Sequence, residues 1–236
     1  MKKLKFLDAE GMGKKVIDGD HSLNGFFGIG LSSKYYSQEN LTLYAKWASQ
    51  HFNSFLFVIA DDPKGYNIMG FEGLSENKAL EEARKKGDEK FEIVSKIAEK
   101  FPHKIEVKRW NEITNNAEYN RILKQLIIDY DGIPILKEHI DNCLWANIEP
   151  KLIDLERDVK HKEFEKRFRV LVNYTIEEIA LIVYLGEYHV YPIKLGHKGE
   201  RVYDNVVDRI YSKHYNKIHQ KILPIGQRGN IYLQAE

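Results

Sequence analysis

The sequence has 236 residues, long enough to bury one sizeable core, and 43% of them are hydrophobic, as in ordinary globular proteins. Its 36 Lys and Arg against 35 Asp and Glu give a net charge of +1, which excludes a global positive field for nucleic acid and leaves only a local patch for any such contact. The single cysteine, Cys143, excludes an intramolecular disulfide and argues against a structural zinc site of the usual kind.

The N-terminal MKKLKFLDAEGMGKK is charged and lacks the apolar stretch of a signal peptide. No window approaches the roughly 18 apolar residues of a membrane span, so the expectation is a soluble cytoplasmic protein without a membrane partner. Residues 1–24, polar and Gly-spaced, read as a loosely ordered lead-in to a single domain over 25–236. Residues 26–32 and SFLFVIAD (54–61) are short apolar runs without clean alternation, as expected of strands buried on both faces. Between them QENLTLYAKWASQHF carries Leu41, Tyr44, Ala45 and Ala48 at helical spacing, completing a β-α-β unit.

The segment 75–101 reads as a long amphipathic helix capped by Ser75, leading into the alternating strand HKIEVKRW (103–110). Helical patterns follow at 116–129, 133–147 and 162–186. A last strand, YHVYPIKL (188–195), precedes a Gly/Lys loop and a helix over 202–218. Strands alternating with helices predict an α/β fold: a single Rossmann-like domain whose central sheet is mainly parallel and flanked by helices.

In such a sheet ligands bind beyond the carboxyl ends of the strands, where strand order reverses. Ser32 closes the first predicted strand, and Asp61 and Asp62 close the second, so these side chains are expected near one crevice. By position alone Ser32 reads first as a helix-capping or turn hydroxyl and second as a nucleophile at the sheet's mouth. Gly28 and Gly30 do not complete a GxGxxG fingerprint, because Ser33 stands where the third glycine belongs. A G-x-S-x-G elbow fails at Lys34.

Tyr174 and Glu178 are four apart and share a helix face with Leu171, Leu181 and Leu185. Burying an unpaired carboxylate costs several kcal/mol. Such a Glu is therefore either satisfied structurally or kept to hold a cation such as an amino group; the adjacent Glu177 complicates the choice. The 76–101 helix interleaves Arg84, Lys85, Lys86 and Lys90 with acidic residues, a pattern that ordinarily means solvation and i,i+4 pairing but leaves room for phosphate contact. The nine histidines are scattered, and none forms a ligand pair at helical spacing.

Taken together, these segments resemble the tRNA-dependent cyclodipeptide synthases. The family's first signature, H-x-[LVI]-[LVI]-G-[LVI]-S, is matched at its end by Ile29-Gly30-Leu31-Ser32, with Phe26 in place of the His and Gly28 at the first aliphatic position. Its Tyr-then-Glu helix signature falls on Tyr174 and Glu178, with Ala180 where a proline is usual. The stretch from Ile59 to Lys90 resembles the family's second strand, an Asn-containing loop holding Asn67, and the start of its basic helix. Tyr191-Pro192 resembles the branch that lacks an Asn shortly after the catalytic Ser, and Tyr35 stands near that Asn position.

The resemblance implies a fold similar to the catalytic domains of class I aminoacyl-tRNA synthetases, with two aminoacyl-tRNAs joined into a diketopiperazine. Ser32 would form an aminoacyl-enzyme, Gly30 would leave room for the aminoacyl group, and Tyr174 and Glu178 would hold its α-amino group. The second aminoacyl-tRNA would donate its amine to form a dipeptidyl-enzyme, and Tyr191 would assist proton transfer during cyclisation. Gly28, Tyr35, Asn67, Leu181, His189 and Pro192 would line the substrate site, and Arg84, Lys85, Lys86 and Lys90 would grip the tRNA acceptor stem. No metal, ATP or nicotinamide is implied, because the tRNA ester carries the activation, and no protein partner is expected. The competing reading is a non-catalytic aminoacyl-tRNA binder of the same fold; an α/β-hydrolase-like esterase is disfavoured by the missing elbow glycine.

Overall fold

The computed structural model describes residues 3–11, 13–185, 188–191 and 229–235. In chain order the strands are β1 (Leu4–Gly11), β2 (Asn24–Ile29), β3 (Ser54–Ile59), β4 (Ile105–Arg109), β5 (Tyr188–Tyr191) and β6 (Gly229–Ala235). The helices are α1 (Gly13–Ile17), α2 (Gln38–His51), α3 (Asp61–Glu72), α4 (Glu76–Ala98), α5 (Trp110–Thr114), α6 (Ala117–Gly132), α7 (Pro134–Asp158) and α8 (His161–Leu185), with a 3-10 turn over Lys34–Tyr36. Among the described residues no helix is long and apolar enough to cross a membrane.

The strands form one sheet in the order β1-β6-β5-β2-β3-β4. β2 pairs in parallel with β3 and β5, β3 with β4, and β5 with β6; β1 alone runs antiparallel, against β6. The mainly parallel α/β sheet expected from the sequence is therefore present. Strand order reverses between β2 and β5, because the chain first builds outward through β3 and β4 and later returns to the other side of β2.

Alternation along β2 and β3 divides the core. Phe27, Ile29, Phe57 and Ile59 belong to the apolar cluster on the α2 and α4 side, while Phe26 and Val58 belong to the cluster built by α5 to α8. Both faces are covered, which is why these strands read as continuous apolar runs.

Several expectations are corrected. Leu4–Gly11, placed within a loose lead-in, form an edge strand whose pairing runs from Leu4↔Ala235 to Gly11↔Gly229. β2 ends at Ile29, so Ser32 lies in the turn beyond the strand rather than at its last position. The segment around Asn67, expected as a loop, is the helix α3. Its Pro63 sits in the first turn, where no intrahelical N–H partner is lost. Ser75 occupies the N-cap of α4 but makes no side-chain capping bond; its carbonyl accepts the Ala79 N–H at 2.9 Å instead. α7 runs on to Asp158 through a kink at Ile148, two residues before Pro150, whose ring cannot fit against the preceding turn of a straight helix. The helix expected over 202–218 lies outside the described residues.

Asp61 and Asp62 also differ from expectation. Asp61 is 1% exposed; one carboxylate oxygen accepts from Arg109 at 2.6 Å and the other from the backbone N–H groups of Asp62 at 3.0 Å and Trp110 at 3.4 Å. Asp62 accepts from Arg84 at 2.8 Å. These carboxylates lock the ends of β3 and β4 to α4 and are not among the residues lining the cavity between the strand ends and α8. Gly87 in mid-α4 explains itself here: a Cβ would lie 2.7 Å from Asp61 Cβ, 2.9 Å from Asp61 Oδ2 and 3.0 Å from Arg109 Nη2.

Two stability predictions follow from this junction. Gly87→Ala gains about 1 kcal/mol of helix propensity yet forces the buried pair apart, so urea unfolding should show a lower midpoint, by about 1–3 kcal/mol net, at unchanged slope; a raised midpoint would contradict the packing. Arg109→Met leaves Asp61 buried without its counter-charge, and the same titration should show a loss of about 3–5 kcal/mol.

Candidate active site

At the β2/β5 reversal a cavity of about 90 Å³ opens between the carboxyl ends of the strands and α8. Phe26, Gly28 and Gly30 line it from β2 and its exit, Ala60 from the end of β3, Trp110 from beyond β4, Val190 from β5, and Tyr174, Glu178, Leu181 and Ile182 from α8. The positions 174, 178, 181 and 182 form one stripe of the helix, set against the sheet. Tyr36, from the 3-10 turn, closes the remaining wall.

Glu178 is the cavity's charged group. Among the described residues its carboxyl has no hydrogen bond or ion pair, and removal from bulk water pushes its pKa up to about 7. Tyr174 is raised well above the ordinary phenol, first by the Glu178 charge and then by burial. Tyr36 is raised too, chiefly by burial and next by Glu178. The arrangement is one carboxylate beside two phenols, all facing a small, largely apolar space. A cationic group fits it well: the carboxylate supplies the charge and the phenol oxygens supply acceptors.

Glu177, the neighbour that made the helix face ambiguous, points elsewhere. One oxygen accepts from Tyr66 Oη at 2.5 Å and the other from Trp110 Nε1 at 3.1 Å. Burial raises its pKa, and the two donated hydrogen bonds oppose that rise. This carboxylate joins α3 and α5 to α8 and fixes the indole that walls the cavity. Only Glu178 shares the cavity with Tyr174.

The turn after β2 is held by its serines. Ser33 Oγ accepts from the Tyr35 N–H at 3.3 Å, and Ser37 Oγ accepts from the Asn40 N–H at 3.3 Å, capping the 3-10 turn and α2 respectively. Ser33 is therefore a cap, and Ser32 is not used as one. Ser32 is exposed, two residues past Gly30, and is not among the residues lining the cavity. The Tyr36 ring packs on the Gly30 backbone, where a Cβ would lie 3.2 Å from it. The Tyr36 ring also packs edge-on against Phe27, with centroids 5.6 Å apart.

Of the residues singled out in the sequence, Gly28, Gly30, Tyr174, Glu178 and Leu181 come together at the cavity. Tyr35 and Asn67 are half-buried and lie outside its lining; Tyr35 offers its carbonyl to Asn40 Nδ2 at 3.3 Å. His189 is paired in register with Phe26, and Tyr191 with Tyr232, in β5. Pro192 lies outside the described residues. On α4, Arg84 is ion-paired with Asp62, Lys86 donates to Glu82 at 2.6 Å, Lys85 is exposed, and Lys90 donates to the Tyr36 carbonyl at 2.9 Å.

Tyr36 and Trp110 were not anticipated. The rule that ligands gather at strand carboxyl ends would have found Trp110 had it been applied to the third strand as well as the first two. Tyr36 carries no such signal, since only the rotation of the 3-10 turn distinguishes it from Tyr35.

Comparison with known proteins agrees with this geometry. No curated protein matches the chain. Solved structures similar to it include a cyclodipeptide synthase from Fluoribacter dumoffii (TM-score 0.75, 16% identity, covering 100% of this chain and 98% of that one) and one from Staphylococcus haemolyticus (TM-score 0.70, 15% identity, 100% of each). A third, from Candidatus Glomeribacter gigasporarum, is described as bound to Phe-tRNAPhe (TM-score 0.60, 16% identity, 91% and 88%). A Mycobacterium tuberculosis structure, whose description relates these enzymes to type I tRNA synthetases, is similar at TM-score 0.71 and 12% identity, covering 100% of this chain and 94% of that one. The cyclodipeptide synthase family model matches residues 14–186, and with that match over most of its length the chain belongs to the cyclodipeptide synthase family.

Proposed function

We propose that this protein joins two aminoacyl groups, delivered as aminoacyl-tRNAs, into a cyclic dipeptide, with Ser32 as the covalent carrier. The observation that carries the reading is Glu178: a carboxyl with no partner among the described residues, aimed into a cavity beside Tyr174 and Tyr36. A fold has no use for such a group, whereas the α-ammonium of an aminoacyl ester is its natural complement. Tyr191-Pro192, with Tyr35 near the usual Asn position, supports the branch of the family that lacks that Asn.

In this reading Ser32 Oγ attacks the ester carbonyl of the first aminoacyl-tRNA, the tRNA ribose oxygen leaves with a proton, and the aminoacyl group becomes a seryl ester. Gly28 and Gly30 leave its path clear, and Glu178 and Tyr174 hold its ammonium. The next step must run opposite to the direction expected from the sequence. If the amine of the second substrate attacked the seryl ester, the dipeptide would end on tRNA and Ser32 would be free. For a dipeptidyl-enzyme the amine of the first residue must attack the ester of the second aminoacyl-tRNA. That amine first has to lose a proton, and a carboxylate poised near pH 7 is suited to receive it. The free amine of the second residue then attacks the seryl ester, forming the ring and releasing Ser32, with Tyr191 as the proposed proton carrier. The tRNA would lie along α4, where Lys85 is exposed and Arg84 and Lys86 are shared with acidic neighbours.

The exposed position of Ser32, outside the cavity lining, favours the second reading, an aminoacyl-tRNA binder without catalysis. Mass spectrometry separates the two. Purified protein mixed with aminoacyl-tRNAs and no ATP should release cyclic dipeptides and carry an aminoacyl mass on Ser32; Ser32→Ala should abolish both while its circular dichroism is unchanged. tRNA binding with no covalent adduct on wild-type Ser32 would select the binder.

The pH dependence has a definite sign. Ammonium binding needs Glu178 ionised, so the rate of Ser32 acylation should rise with pH through about 7 and then level. Glu178→Gln should lower acylation by about a hundredfold and remove that rise, as read in single-turnover assays between pH 5.5 and 8.5.

A further inference from the structure

On the reading that Ser32 is acylated by aminoacyl-tRNA, we infer that Lys90 is a positioning residue for the Ser32 turn and not a ligand of tRNA phosphates. The buried residues of α4 are Ala79, Ala83, Gly87, Val94, Ile97 and Ala98, a stripe facing the sheet. Lys90 falls on that stripe, three residues after Gly87 and four before Val94. Arg84, Lys85, Lys86 and Lys96 lie off it and are exposed.

Lys90 is half-buried, and its Nζ donates to the Tyr36 carbonyl at 2.9 Å, a contact spanning 54 residues of sequence. Burial also draws its pKa below the ordinary lysine value. A lysine placed to meet RNA would keep its head in water, as Lys85 does.

The carbonyl it holds belongs to the residue that closes the cavity. The Tyr36 ring packs on Gly30, where a Cβ would lie 3.2 Å from it, so the chain from Gly30 to Tyr36 is a short loop closed on itself, with Ser32 within it. The ammonium of Lys90, on the Tyr36 carbonyl, fastens this closed loop to α4. α4 is itself seated on the Asp61–Arg109 pair through Gly87, one turn before Lys90. Lys90 therefore transmits the position of a rigid helix to the nucleophile's turn. A misplacement of about 1 Å at a reacting group can cost about a hundredfold in rate.

Two measurements on Lys90→Met and Lys90→Gln test this. The first is acylation of Ser32 in a single turnover at saturating aminoacyl-tRNA, together with the dependence of tRNA affinity on salt. Lys90→Met should acylate about ten- to a hundredfold more slowly with the slope of log affinity against log salt unchanged, while Lys85→Met should reduce that slope by about one. Lys90→Gln, neutral but still a donor, should recover part of the rate. Wild-type acylation in both Lys90 variants with a slope reduced by about one would overturn the inference and make Lys90 a phosphate ligand.

The second is amide hydrogen exchange over residues 31–37, which requires no activity. Faster exchange in Lys90→Met, confined to this turn, supports the strut, and unchanged exchange overturns it. If wild-type Ser32 never takes up an aminoacyl group, the proposed function fails, and the exchange result still judges the contact. Should Lys90→Met not fold, Lys90→Gln carries both measurements.

Discussion

The site depends on how α8 is rotated against the sheet. Two consecutive carboxylates sit on that helix, and roughly 100° of turn per residue sends them in different directions. Glu177 has both oxygens occupied, by Tyr66 from α3 and Trp110 from α5, and these bonds leave the helix little freedom to roll. Glu178 is thereby committed to the cavity, where no described residue answers its charge. A half-buried carboxylate with two good donors and a half-buried one with none among the described residues stand side by side, and the first makes the second possible.

The same division of labour governs the strand ends. In an open parallel sheet every strand arrives at the ligand crevice with its carboxyl end, and the residues just beyond it serve either to fasten the sheet or to meet a ligand. At β3 and β4 the fastening use prevails: Asp61, Asp62, Arg84 and Arg109 are bound to each other and to α4. At β2 the chain exits through Gly30 and a turn whose serines divide the tasks, Ser33 capping and Ser32 left exposed. The polar residues at the end of β3 support the crevice from behind, and the apolar and aromatic residues around Glu178 form it.

Much of this was readable from the sequence where the signal is local. β2 and β3 announce themselves because both faces are buried, and α8 does so because Tyr174, Glu178 and Leu181 repeat at helical spacing. The junction at Asp61 was not readable, since its meaning depends on Arg109, 48 residues away, and on the absence of a side chain at Gly87. β1 was missed for a related reason. It is an edge strand with Lys5 and Phe6 exposed, and its partner among the described residues is β6, at the far end of the sequence. α3 was taken for a loop because Pro63 and Gly65 are turn residues in most settings, yet here the proline occupies the first helical turn and Leu80 packs against the glycine. Lys90 and Lys85 look alike in sequence, and only the burial of the α4 stripe separates them.

Glu178 also bears on the stability of the empty protein. A carboxyl whose folded pKa stands at about 7, against the ordinary glutamate value of 4.5, keeps its proton in the folded state after the unfolded chain has lost its own. The contribution to stability is whole below the lower value and is lost as pH rises through the upper one. At neutral pH the resting fold thus carries a destabilisation located at the cavity, which a cation bound there would relieve. On the proposed function, replacing Glu178 with an apolar residue would give a sturdier but inert protein, the familiar antagonism between robustness and activity, confined here to a single side chain.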